Sequence, residues 1–123
     1  MNRCAFFIAA LALSLAAQAQ RLFPAQALRG EMVVVQAPEV SLNGLPARLS
    51  PGSRIHDQSN LLQLSASLTG QRLIVNYTVD REGLIKEVWL LTPAERAIRP
   101  WPGNPQEAAA WTFDPAAQTW TRR

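Results

Sequence analysis

The sequence predicts a small, mainly β protein: a five- to six-stranded meander or partly closed barrel, followed by a short C-terminal helix and tail. Three observations predict it. Turn signals recur every 8–12 residues between residues 31 and 91. Apolar residues there alternate with polar ones at period two, the mark of strands with one buried face. After Leu91 the composition changes to Pro-bearing helix starts and a tail rich in Trp.

The elements justify this in order. Residues 20–30 read as a lead-in with one helical turn ended by Gly30. Glu31–Gln36 is β-branched and reads as the first strand, interrupted by Ala37-Pro38. Val40–Leu42 and Leu45–Ala47 flank Asn43-Gly44, the strongest two-residue hairpin signal. Ser50-Pro51-Gly52-Ser53 fits a type II turn. His56–Asn60 is a polar loop. Leu61–Leu68 alternates, which puts Leu62, Leu64, Ala66 and Leu68 on one face of a strand. Residues 72–91 form a hairpin about Asp80-Arg81-Glu82-Gly83. Pairing Asp80 with Gly83 sets Val79 against Leu84, Tyr77 against Lys86, Val75 against Val88 and Leu73 against Leu90. The opposite face then carries Ile74, Asn76, Thr78, Ile85, Glu87, Trp89 and Leu91. Thr92-Pro93-Ala94-Glu95 is a capping box, and Asn104-Pro105-Gln106-Glu107 repeats the device. Residues 100–110 read as a linker, and Trp111–Thr121 as a short hairpin carrying Trp111 and Trp120. OB-like and SH3-like barrels both fit this series of strands.

Residues 1–19 read as a secretory signal peptide. Arg3 supplies the basic end, Cys4 to Ala17 an apolar run, and Ala17-Gln18-Ala19 a small-x-small cleavage site. The run is shorter than the roughly 20 residues of a spanning helix. The expected address is therefore the periplasm, with no transmembrane anchor after cleavage. The organisation is then 1–19 signal, 20–99 β domain with its helix, and 100–123 tail. Cys4 leaves with the signal, so neither a disulfide framework nor a Cys/His zinc site is expected.

Beyond residue 19 the chain has ten Arg and one Lys against nine acids. Arginine suits anion or aromatic recognition. These arginines are scattered, with no run of five basic residues, and are read as codon usage. A nucleic-acid partner is not expected.

The polar loop holds the one His of the chain. A site near His56 would make a small periplasmic enzyme, the alternative to a binding protein. Adjacent loop residues seldom meet the geometry of a nucleophilic triad, and there is no Gly-x-Ser-x-Gly elbow. His56 with Asp57, Glu39 or Glu87 would make at most a weak metal site. All six glycines sit at predicted turns, so no phosphate-cradling loop and no cofactor are implied.

The tryptophans are the more suggestive set. Trp89, Trp101, Trp111 and Trp120 fall within about thirty-two residues, and interfaces are enriched in Trp. Trp89 shares its face with Asn76, and Tyr77 lies beside it. Trp89, Trp101, Trp111, Trp120, Asn76 and Tyr77 are the candidate binding residues. Ordinary core packing of Trp89 and Trp111 is the competing explanation. Trp101, between Pro100 and Pro102, is expected to be an anchor or exposed. One buried Trp covers roughly 150–250 Å². At about 25 cal/mol/Å² that contributes several kcal/mol before ordering entropy, so the tail is expected to dock.

The stretches Arg48–Ile55, Leu68–Gln71, Val75–Thr78 and Val88–Glu95, with Asn60, resemble small exported proteins of Gram-negative bacteria that have no characterised activity. The resemblance covers roughly residues 29–95. It implies a periplasmic address and transfers no site residue. The function expected is that of a non-catalytic envelope binding or assembly factor. Its partner would be an envelope protein or a small ligand. A weak metal or anion binder is a further alternative.

Overall fold

The computed structural model describes residues 21–122, and the predicted export signal lies outside them. The protein is mainly β. Strands β1 (Leu28–Gln36), β2 (Glu39–Leu42), β3 (Leu45–His56), β4 (Leu62–Gln63), β5 (Arg72–Val79) and β6 (Ile85–Leu90) form one mixed sheet. Helices α1 (Pro93–Arg96) and α2 (Pro105–Ala110) follow, then a hairpin of β7 (Thr112–Asp114) and β8 (Thr119–Thr121).

The sheet order is β2-β1-β5-β6-β3-β4, and β2 also pairs with β3. That pairing closes a ring of β1, β2, β3, β6 and β5. The fourth strand of the ring returns beside the first, a Greek key. Among the paired strands described, β3 and β6 alone run parallel. This is the OB-like form of the expected partly closed barrel.

Local chemistry explains the ring. Asn43 (φ 54°) and Gly44 (φ 80°) take the left-handed conformations that a tight hairpin between β2 and β3 requires. Gly30 does not end a helical turn, as expected; it lies inside β1. A Cβ there would sit 3.0 Å from Asn43 Oδ1, the oxygen that accepts from the Glu31 amide. A side chain here would press on Asn43 and Leu42, so the close approach favours glycine.

The Pro51-Gly52 turn also differs from expectation. β3 runs straight through it, with Gly52 at φ 77°. Register with β6 shifts between Leu49 and Arg54. The bend lets one strand pair with β2 at its start and with β6 and β4 at its end. Pro51, lacking an N–H, sits inside that register break with β6.

Leu61–Leu68 is not one strand. A two-residue β4 gives way to a 3₁₀ turn, Ser65–Leu68. Ser67 Oγ donates to the Leu64 carbonyl and Thr69 Oγ1 to the Ala66 carbonyl. These local bonds compete with a ladder. Leu62 and Leu64 are exposed and only Leu68 is buried.

The β5–β6 hairpin forms with a different register. Val75 faces Leu90 and Tyr77 faces Val88, with an irregularity between Thr78 and Val79. It lets Ile85 and Val88 both enter the core and leaves Lys86 exposed. The expected register would have placed the Lys86 stem along Tyr77; turning the ammonium outward avoids its desolvation.

Two cores result. Met32, Val34, Val75, Tyr77, Ile85 and Val88 are among the residues that fill the ring. A second cluster lies on the outer face of β5 and β6 and includes Phe23, Trp89, Leu91, Trp101 and Trp120. Residues 100–110, expected as a linker, contribute buried Trp101 and Pro102 to this packing. Gln118 ties the tail hairpin to the N-terminal segment. Its Oε1 accepts from the Phe23 amide and its Nε2 donates to the Phe23 carbonyl.

The predicted capping box is present. Thr92 Oγ1 accepts from the Glu95 amide and Glu95 Oε1 accepts from the Thr92 amide. The same carboxylate receives Arg21, whose Nε donates to Oε2 (2.9 Å) and Nη2 to Oε1 (2.6 Å). Burial pushes the Glu95 carboxyl up, but Arg21 and the Thr92 amide outweigh it and hold it below its usual value of 4.5. A depressed carboxylate stabilises the fold above its unfolded pKa, and that contribution is lost as pH falls through the folded value. Urea titrations from neutral to acid pH should show this loss, and Glu95→Gln should flatten the curve. An unchanged pH profile in Glu95→Gln would refute the assignment.

Candidate functional site, a basic groove beneath the tail

The tail lies over β5 and leaves a groove of about 640 Å³ beside α1. Its walls come from Arg29 on β1, Ile74 on β5, Pro93, Arg96 and Ala97 of the α1 region, the Arg99–Trp101 segment, Glu107, Trp111 and Arg122. The volume lies in the range of small-molecule sites. A second hollow of about 440 Å³ abuts it, lined by Arg99, Pro100, Trp120, Thr121 and Arg122.

The charge is one-sided. Four of the chain's twelve basic residues line the first groove, with one of its nine acids. That acid, Glu107, accepts from the Gly103 amide and Asn104 Nδ2 through Oε1. Among the described residues, no carboxylate lies within ion-pair distance of Arg29, Arg96, Arg99 or Arg122.

Arg29 is the most constrained of the four. Its Nε donates to Asn76 Oδ1 (3.1 Å), Nη1 to the Ile98 carbonyl (2.6 Å) and Nη2 to the Glu95 carbonyl (3.2 Å). Its guanidinium lies 4.8 Å from the Trp101 ring centre. All three acceptors are neutral. Burial lowers the Arg29 pKa to about 10, with Glu95 opposing and Arg99 adding to the shift. This is a fixed positive charge, partly desolvated, with no carboxylate in ion-pair contact among the described residues.

The structure places the six expected binding residues unequally. Trp101 and Trp120 are only 8% and 6% exposed. Trp101 meets Phe23, Phe113 and Trp120 edge-on or nearly so, and its Nε1 donates to the Ala27 carbonyl. Both are anchors of the outer cluster. Trp89 is buried beneath them, edge-on to Phe23. Tyr77 lies inside the ring, and burial raises its pKa. Asn76 is fully buried and serves by orienting Arg29. Trp111 alone is partly open, with Arg122 stacked 5.1 Å from its ring centre.

Sequence reasoning missed the four arginines. Arg96 and Arg99, three residues apart behind a capped helix and beside Trp101, were a local signal for two of them. Nothing local marks Arg29 or Arg122.

The polar loop is built otherwise than a triad. Asp57 Oδ1 accepts from the Ser59 and Leu61 amides, and Oδ2 from Gln63 Nε2. The Leu61 amide leads the bonds that hold the Asp57 carboxyl below its usual value. His56 stacks on Trp89 at 5.6 Å, and its Nε2 lies 3.4 Å from Glu87 Oε2. Among the described residues, no three His, Cys, Asp or Glu side chains cluster in a way that could hold a metal. Nor is any helix there long and apolar enough to cross a membrane.

Fold and groove together define a small OB-like β protein with a basic groove on its outer face. Compared with protein-family models, curated proteins and solved structures, the chain matches none.

Proposed function

We propose that this protein is an exported, non-catalytic binding module that takes an anionic ligand in the groove beside α1. The observation that carries this reading is Arg29, a partly buried guanidinium held by three neutral oxygens with no carboxylate in ion-pair contact. A partly buried charge whose nearest carboxylates lie beyond contact distance is costly, and a bound anion would offset that cost. Arg96, Arg99 and Arg122 around it raise the local anion concentration and provide planar, bidentate donors. The apolar walls suit a ligand that also carries an apolar part. The predicted export signal places such a binder in the periplasm, where an envelope protein or a small metabolite would be its partner.

Thermal unfolding with added inorganic phosphate tests the reading. An anion that binds only the folded state raises Tm, by about 2.7 kcal/mol of stability at 100 times Kd. The rise should vanish in an Arg96→Glu/Arg99→Glu variant that unfolds at the same temperature without phosphate. An equal rise in that variant would sink the assignment to this groove.

A further inference from the structure

We propose that the occupant of the groove is an extended acidic peptide segment of another protein, with carboxylate side chains alternating with apolar ones. This rests on the anion-groove reading and adds the ligand class. The two hollows adjoin, because Arg99, Pro100 and Arg122 line both. A single small anion would fill one compartment and leave the other empty. A chain that occupies both hollows meets Arg96 and Arg99 at the end of α1 and Arg122 of the tail. In an extended peptide successive side chains point to opposite faces. Carboxylates can therefore meet the arginines while the residues between them lie on Pro93, Ala97 and Pro100.

The rings argue for a peptide over a single-stranded nucleic acid. Base binding needs open aromatic faces for stacking. Trp101 and Trp120 are 8% and 6% exposed and are packed against each other and Phe113. The partly open ring, Trp111, already carries Arg122. What the two hollows offer is guanidinium donors beside apolar walls, the complement of acidic and apolar side chains.

The test is a titration of the protein, read by indole emission, with three probes of matched total charge: inorganic phosphate, a synthetic peptide alternating Glu or Asp with Leu or Phe, and a single-stranded oligonucleotide. The peptide should saturate the signal and bind at least about tenfold more tightly than phosphate, a gain of about 1.4 kcal/mol. Its affinity should fall at least about tenfold in Arg99→Glu/Arg122→Glu, two exposed positions that line both hollows, with Tm unchanged. Phosphate binding without a peptide advantage would overturn the peptide assignment and leave the anion groove standing. An oligonucleotide that binds more tightly than the peptide would overturn it equally. Failure of all three probes would remove both.

Discussion

Replacing Glu95 with alanine is expected to destabilise the protein by about 3–5 kcal/mol, the cost of leaving a buried partner unpaired. The side chains of Arg21 and Glu95 are only 15% and 8% exposed. Arg21 reaches across to accept-only groups on three elements: the Glu95 carboxylate and the carbonyls of Asp57 and Leu90. Loss of the carboxylate strands that guanidinium and opens the α1 capping box at once. For a domain near 100 residues, about 1 kcal/mol shifts Tm by roughly 4–8 °C. The expected fall is therefore roughly 12–40 °C. Thermal unfolding of Glu95→Ala, Arg21→Met and the double variant checks it. The double variant should recover part of the loss, since removing both charges avoids the unpaired one. A fall under about 4 °C in Glu95→Ala would show that the pair is solvated and of little weight.

Trp101→Ala is expected to cost about 3–5 kcal/mol. The ring is the meeting point of the N-terminal segment, the tail hairpin and Arg29. Its Nε1 bond to Ala27 also holds the entry to β1. The loss should be local first. Hydrogen exchange of the Phe113 and Trp120 amides should rise more than that of Val75 or Val88 inside the ring. Equal acceleration in both layers would mean that the outer cluster and the ring unfold as one unit. Trp101→Phe should retain most of the packing and lose the hydrogen bond, at roughly 1–3 kcal/mol.

Some of this architecture was legible residue by residue, and some was not. Asn43-Gly44 and the Thr92–Glu95 box rest on neighbours a few positions apart, so their chemistry is complete within a short window. The capping residues and the hairpin turn therefore read correctly. Leu61–Leu68 has the alternation of a strand, yet hydroxyl bonds and the Asp57 loop turn it away from the sheet. The β5–β6 register failed for a related reason. Alternation sets which residues share a face, but an irregularity that keeps Lys86 out of the core changes which of them pair.

The tail shows the same division in its function. Four close tryptophans were visible as a group, and their area predicted docking. Whether they would present a surface or form a core depended on the outer face of β5 and β6, which exists only once the ring has closed. There Trp101 and Trp120 become buried supports, and the surface they leave open is lined with arginines from residues 29, 96, 99 and 122.

The mainly β class, the helix caps, the tight hairpin and the anchoring weight of the aromatic residues are written in short-range pattern and composition. The parallel β3–β6 contact, the Arg21–Glu95 pair at a separation of 74 residues and the basic groove belong to the tertiary structure. The reason is physical. Propensity and alternation act between neighbours in the chain, whereas desolvation and charge pairing depend on groups that only folding brings within a few ångströms.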